Sequence, residues 1–282
     1  MKSPLRYPGG KTRAIKYMKD YFPRDMKNLC SPFFGGGSLE LFFAKQGVQV
    51  TAYDLFEPLV WFWRALLESP KELAEVSDSL RTEDEAFVLK DKRVKGLPKK
   101  DFRDIQHKLG EETSYSIANA AMFYALNRSS FSGETLSGGY SKRASYARFT
   151  DSSIDRVRDF RTNKLTVECE DFTTSIPKNS DKFLYCDPPY KIKYNLYGKK
   201  GNMHRNFNHD ALLDLLKNRT DWVLSYNDCE WVREAYKDYE IVRLDWKMGM
   251  SNIYSEKERA EKLVSGKKKK MGASSEVLII SR

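Results

Sequence analysis

Short apolar runs separated by polar, helix-patterned stretches recur along the chain. Seven of them are rich in β-branched or aromatic residues: NLCSPF (28–33), VQVTAYD (48–54), KLTVEC (164–169), KFLYCD (182–187), WVLSYN (222–227), YEIVRLDW (239–246) and EVLIIS (276–281). Runs of that length and composition predict strands. Helical patterns lie between them. SLELFFAKQG (38–47) ends on a glycine suited to a C-terminal cap, and NHDALLDLLKN (208–218) opens on Asn208 as an N-cap. Such alternation predicts an α/β sheet with helices on both faces. The last two runs are joined only by a polar, lysine-rich connection from Lys247 to Ser275, so an antiparallel hairpin is expected at the sheet edge.

The alternation stops between Pro58 and Arg161. Helical patterns take over there, as in SIANAAMFYALNR (116–128), where Ile117, Ala120, Ala121 and Tyr124 share one face. Residues 60–161 are therefore expected to form a mainly helical domain inserted into an α/β domain made of residues 1–59 and 162–282. The insert ends in a glycine-rich, aromatic and basic segment, NRSSFSGETLSGGYSKRASYARF (127–149).

Composition adds a partner class. The chain has 282 residues, 40% of them hydrophobic, and 49 Lys plus Arg against 39 Asp plus Glu give a net charge of +10. That balance favours a polyanionic partner or an anionic surface. The N-terminal MKSPLRYPGG has no signal-like apolar run, and no stretch approaches the ~20 apolar residues of a membrane span, so a cytoplasmic protein without a membrane partner is expected. Cys30, Cys169, Cys186 and Cys229 are widely spaced, and His107, His204 and His209 lack ligand spacing, so neither a metal site nor a disulfide scaffold is expected. The KKKK run at 267–270 reads equally as a nuclear address, as an exposed loop that touches phosphate, or as a run with no role.

Three short motifs carry candidate chemistry. RYPGGK (6–11) resembles a phosphate loop, but Leu5 stands where a triphosphate loop needs its first glycine, so a smaller anion fits better. Three glycines, Gly35 to Gly37, follow the first strand and open a helix, and Asp54 ends the next strand nineteen residues after Gly35. That is the spacing at which a carboxylate meets the hydroxyls of an adenosine ribose. Asp187, Pro188, Pro189 and Tyr190 form the third motif. Asp187 ends an apolar strand, where a carboxylate is costly, and the two prolines stiffen the turn, holding the Asp187 carboxylate and the Pro188 carbonyl as a pair of acceptors beside the Tyr190 ring. Two fixed acceptors next to an aromatic face suit a planar base with an amino group. Accepting both hydrogens of an adenine amine frees its delocalised lone pair for attack.

RYPGGK, PFFGGGS, AYDLFEP, LNRSSFSG, EDF and DPPY, in that order, resemble the Dam/DpnII-type DNA adenine methyltransferases, and the resemblance extends to MGMSNIYSEKE and SSEVLII. It implies a Rossmann-like methyltransferase fold with a target-recognition insert. The implied donor is S-adenosylmethionine, leaving as S-adenosylhomocysteine, with no metal, and the implied substrate is double-stranded DNA whose adenine is flipped out for methylation. By the same resemblance Tyr7, Gly9, Gly10 and Lys11 surround the methionine part of the donor, and Phe34, Gly35 and Gly37 approach it. Asp54 binds its ribose, Asp171 and Phe172 contact its adenine, and Asp187 faces both donor and target amine. Arg6, Arg128, Ser130, Phe131, Tyr140, Lys142 and Arg143 become candidate DNA contacts. Lys193, Lys199 and Lys200 join them from a loop, 191–209, with five basic and no acidic residues. A monomer or weak dimer on DNA, from a bacterial, phage or viral source and with or without a cognate restriction nuclease, completes the expectation. DPPY alone also serves methyltransferases of RNA or protein amides, and a non-catalytic DNA-binding regulator could share the fold. The N-terminal Gly-Gly-Lys and the large insert before DPPY favour DNA.

Overall fold

All seven predicted runs form strands, and they join in one sheet. The structure, a computed structural model, describes residues 2–89, 92–191, 207–244 and 276–281. The strands are β1 (Asn28–Ser31), β2 (Gln49–Asp54), β5 (Leu165–Cys169), β6 (Phe183–Cys186), β7 (Trp222–Asn227), β8 (Glu240–Arg243) and β9 (Glu276–Ser281), in the order β5-β2-β1-β6-β7-β9-β8. The first five in that order pair in parallel, and β9 runs antiparallel between β7 and β8. The hairpin expected at the edge is present, with β8 outermost and β9 inserted beside β7.

Side chains alternate across the sheet with the two-residue period of a strand. Leu29, Val50, Ala52, Tyr185, Val223, Leu278 and Ile280 enter one apolar cluster. Cys30, Tyr53, Leu184, Cys186, Leu224, Val277 and Ile279 enter another. Helices α9 (Phe172–Lys178), α10 (His209–Lys217) and α11 (Glu230–Ala235) cover the second face through Ile176, Leu212, Leu216 and Val232. The first face is covered by α1 (Ile15–Met18), α2 (Ser38–Lys45) and α3 (Glu57–Glu68), through Met18, Leu41 and Phe62. The two helix ends read from sequence hold. Asn208 Oδ1 accepts from the Ala211 N–H at 3.0 Å, and Gly47 adopts φ 92° past the end of α2.

Between α3 and β5 lie α4 (Pro70–Ser79), α5 (Lys99–Glu111), α6 (Ile117–Ser129), α7 (Lys142–Arg148) and α8 (Asp151–Arg158). The helical expectation for this stretch needs one correction. Residues Thr82–Leu89 (β3) and Lys92–Gly96 (β4) pair as an antiparallel hairpin, where no strand was expected. The Phe87 ring packs on Tyr146 of α7 at 5.0 Å, so tertiary contact supports a hairpin that its own charged pattern does not announce. Helix α6 also exceeds its predicted single apolar face. It is buried from Asn119 to Ser129 because α3, α4, α5 and α7 all pack around it.

In this strand order the chain leaves β1 toward β2 on one side and returns to β6 on the other. The carboxyl ends of β1 and β6 therefore border the crevice where ligands of open α/β sheets collect. The fold is the Rossmann-like one that the resemblance implies.

Candidate active site

The crevice is built from widely separated pieces of chain. The turn after β1 supplies Phe34 to Gly37. Gly35 and Gly37 take positive φ, 51° and 63°, which suits residues without a Cβ. Space also demands glycine, since a Cβ on Gly36 would meet the Tyr7 side chain at 2.7 Å. The turn is held from outside by Trp63 of α3, whose Nε1 donates to the Gly35 carbonyl at 3.0 Å. Phe34 packs against the same indole in a tilted arrangement, with ring centroids 4.8 Å apart.

Asp54, at the end of β2, accepts from the Gly35 N–H at 2.9 Å and from the Phe56 N–H at 3.0 Å. Burial still raises its pKa above the ordinary value, although those N–H groups oppose the rise. Each oxygen has a second lone pair for a ligand hydroxyl. Asp171 caps α9, its Oδ1 accepting from the Thr173 N–H at 2.9 Å and the Thr173 hydroxyl at 2.6 Å. Phe172 forms a triangle of rings with Phe33 and Phe207, with centroids 5.2 to 5.5 Å apart.

The turn after β6 meets the N-terminal segment here. Lys11, only 4% exposed, places Nζ 2.7 Å from both Asp187 carboxylate oxygens, 3.2 Å from Glu276 and 3.1 Å from the Gly9 carbonyl. The ammonium therefore spans two carboxylates. Gly9 sits at φ 75°, and the Gly10 N–H closes the turn on the Tyr7 carbonyl at 3.1 Å. Tyr190 donates its hydroxyl to Glu276, lies under the Lys11 ammonium at 5.1 Å, and stacks on Tyr226 at 5.8 Å. Pro188 is buried and Pro189 half-buried. Asp187 is 21% exposed at the mouth of this network. Burial pushes its pKa up to about 6; Lys11 opposes that rise and the Glu276 carboxylate adds to it.

Glu40 of α2 lies beneath, accepting from Ser31 Oγ at 2.7 Å. Its pKa is pushed up to about 7, by burial first and by Asp187 in part, against the Ser31 hydrogen bond. A carboxyl that holds its proton better in the folded chain makes stability fall as pH climbs from its unfolded pKa through its folded one. Glu40→Gln keeps the acceptor for Ser31 and removes the charge. The variant is expected to exceed the native protein by up to roughly 3 kcal/mol near pH 8 and to converge with it near pH 4. Thermal melts across that range measure it, and a pH-independent gap would refute the buried charge.

The insert joins the site through Asn127. Its Oδ1 accepts from the Arg6 N–H at 2.9 Å, and its Nδ2 donates to the Arg6 carbonyl at 2.7 Å and the Gly133 carbonyl at 3.2 Å. One buried amide thus ties RYPGGK to the segment after α6. Arg6 bonds the carbonyls of Arg128 and Ser130, and burial beside Arg128 and Arg148 lowers its pKa to about 10. Phe131 is 56% exposed at the tip of this segment. Arg143 is exposed, and Lys142 pairs with Asp84 at 2.7 Å. Arg128 and Ser130 point inward. The Arg128 guanidinium bonds the Arg148 and Pro4 carbonyls, and Ser130 Oγ accepts from the Thr135 N–H. Tyr140 donates to the Leu97 carbonyl at 3.0 Å. Lys193, Lys199 and Lys200 lie outside the described residues. Among the described residues, no group of His, Cys, Asp and Glu could hold a metal, and no helix is long and apolar enough to cross a membrane.

Sequence reasoning missed Glu276, Glu40, Asn127 and the Tyr226 ring. Glu276 carried a usable signal, since it is a carboxylate at the end of an apolar strand, as Asp187 is.

Comparison with known proteins bears on the same residues. A family model described as D12 class N6 adenine-specific DNA methyltransferase matches residues 7–250, a span that holds the glycine turn, Asp54 and the Asp187–Tyr190 turn. Type II methyltransferase M.CviBI of Paramecium bursaria Chlorella virus NC1A is 23% identical over 248 residues, 85% of this chain and 88% of its own length. Type II methyltransferase M.MjaIII of Methanocaldococcus jannaschii is 24% identical over 232 residues, 76% of this chain and 77% of its own. With a family match across residues 7–250, most of its length, the chain belongs to the D12 class of N6 adenine-specific DNA methyltransferases.

Proposed function

We propose that this adenine-specific DNA methyltransferase acts through the Asp187–Tyr190 turn, with residues 60–161 serving target recognition. The observation that carries the reading is the Asp187 carboxylate at the carboxyl end of β6, across the switch point from the Gly35–Gly37 turn of β1. The family's donor is S-adenosylmethionine, and the residues present fit it. Asp54 offers oriented lone pairs to a ribose diol, the Phe33, Phe172 and Phe207 rings offer an apolar wall to a purine, and the carboxylates near Asp187 suit a cation. Bound there, S-adenosylmethionine supplies an electrophilic methyl group on a sulfonium.

Asp187 and the Pro188 carbonyl accept the two hydrogens of the adenine amine and localise its lone pair for attack. The proton released by the methylated amine has a receiver in Asp187, whose pKa of about 6 lies closer to neutrality than that of an ordinary aspartate. Turning the base out of the stack costs about a few kcal/mol, which DNA contacts must supply. Phe131 and Arg143 reach outward for that purpose in our reading, with half-buried Arg6 held beside them on the Arg128 and Ser130 carbonyls, while Arg128, Ser130 and Tyr140 hold the segment's shape. Tyr7, Gly9 and Gly10 line the donor's methionine end. The relatives' Type II designation favours a role beside a cognate nuclease.

Labelled S-adenosylmethionine offered with duplex DNA and structured RNA in competition tests the reading. Label recovered as N6-methyladenine from DNA is the expected product. Label in RNA or in the protein alone would sink it.

A further inference from the structure

Glu276 is the first residue of β9, an apolar strand that otherwise completes the core. It is 0% exposed, and a carboxylate in that position needs strong partners. It has two on the crevice side, the Lys11 ammonium at 3.2 Å and the Tyr190 hydroxyl. Those two groups are also the ones that touch or flank Asp187, since Lys11 holds both Asp187 oxygens at 2.7 Å and Tyr190 belongs to the same turn. The family match stops at residue 250, before Glu276, so it assigns this position nothing.

We propose that Glu276 is a positioning residue, whose carboxylate clamps Lys11 and Tyr190 in place around Asp187 and shares the lysine's charge with it. The proposal rests on the reading of Asp187 as acceptor of the target amine. Without Glu276 the ammonium would keep Asp187 and the neutral Gly9 carbonyl, and its charge would no longer be shared with Glu276. With it, Lys11 lies 2.7 Å from Asp187 and 3.2 Å from Glu276, close enough to orient the first carboxylate while its charge is shared with the second. Asp187 then stays a strong acceptor, its lone pairs available for the amine. The charged and titratable groups facing Asp187 are Lys11 from the N-terminal segment, Glu276 from β9, Tyr190 from its own turn, Glu40 from α2, and Tyr185 and Cys186 from β6. Glu276 adds to the rise in the Asp187 pKa, while Lys11 and Tyr190 oppose it.

Glu276→Gln tests the clamp, because glutamine keeps the size and an acceptor for Tyr190 but loses the charge. Aspartate carboxyls carrying an isotopic label are followed by NMR through a pH titration, with Asp187→Asn identifying the resonance. The midpoint for Asp187, about 6 in the native chain, is expected to move to lower pH in Glu276→Gln, since a repulsive charge leaves and the lysine is no longer shared. The acid limb of kcat should move the same way, and kcat should fall about ten- to a hundredfold from misplacement of the turn. An unmoved midpoint in a folded Glu276→Gln overturns the proposal, whatever its activity. A moved midpoint with native turnover would overturn the positioning role of Glu276, whereas the reading of Asp187 itself fails only if Asp187→Asn keeps near-native transfer. If glutamine prevents folding, Glu276→Asp keeps the charge but withdraws it by one methylene; a lowered kcat with the midpoint near its native value supports the clamp, and native kcat overturns it.

Discussion

Asp187→Asn should lower methyl transfer about a thousandfold while leaving DNA affinity near that of the native protein. The size follows from removing one preorganised group from a reacting centre, where losses of about 10²- to 10³-fold are usual. Here the loss is compounded, because the asparagine can turn an NH2 toward the amine and repel what the carboxylate accepts. The fold should survive, since Lys11 keeps Glu276 and the Gly9 carbonyl as partners. Single-turnover transfer of a labelled methyl group, measured beside a gel-shift titration, separates the two effects. Transfer within about tenfold of native would reject Asp187 as the acceptor. The native enzyme carries a companion expectation. Its pKa is raised to about 6, so the ionised, accepting form is lost as pH falls through that value and kcat should fall with it.

The sequence exposed much of this site because its chemistry is local. Asp187 announces itself as a charge ending the run KFLYC, and two prolines next to it leave the turn few conformations. The central strands were legible for a related reason: β1, β6, β7 and β9 are short runs buried on both faces, so the apolar signal is continuous and bounded, whereas β5 and β8 at the sheet edges are largely exposed and show through their β-branched residues. The β3–β4 hairpin was not legible. TEDEAFVL and KRVKG carry charges where a buried strand would carry apolar residues, and Lys90 and Asp91 between them lack the glycine or asparagine of a tight-turn signature. What supports the pairing is a register that sets Glu83 opposite Lys95, together with Phe87 packing on Tyr146 from α7, and the second of these is long-range.

Inward and outward residues of the segment after α6 were equally hidden. Arg128 and Arg143 look alike in a string, yet Arg143 is exposed while Arg128 is consumed by the carbonyls of Arg148 and Pro4, which only the folded chain brings to it. Lys11 shows the limit most clearly. Sequence patterning suggests an anion for the Gly-Gly-Lys turn and cannot say which; in the fold two anions are side chains, one 176 residues away.

Lys11→Met therefore has the second large expected effect, on stability as well as on turnover. Methionine fills the space of the lysine stem, so the loss is mainly of charge. Asp187 and Glu276 would then face one another, with Glu40 beneath, without the cation between them. Breaking a buried pair by removing one partner typically costs about 3–5 kcal/mol. The pH dependence tells this origin from lost packing. Lys11 holds the Asp187 pKa down, so without it the value rises above about 6, and protonation of the carboxyls relieves the repulsion. The deficit against the native protein should thus be largest near pH 8 and shrink toward pH 5, as urea melts at the two values would record. Turnover near neutrality should fall too, with its acid limb displaced to higher pH, the direction opposite to that expected for Glu276→Gln. A deficit equal at both pH values would mean that Lys11 contributes only the packing of its stem, and that the paired carboxylates do not need its charge.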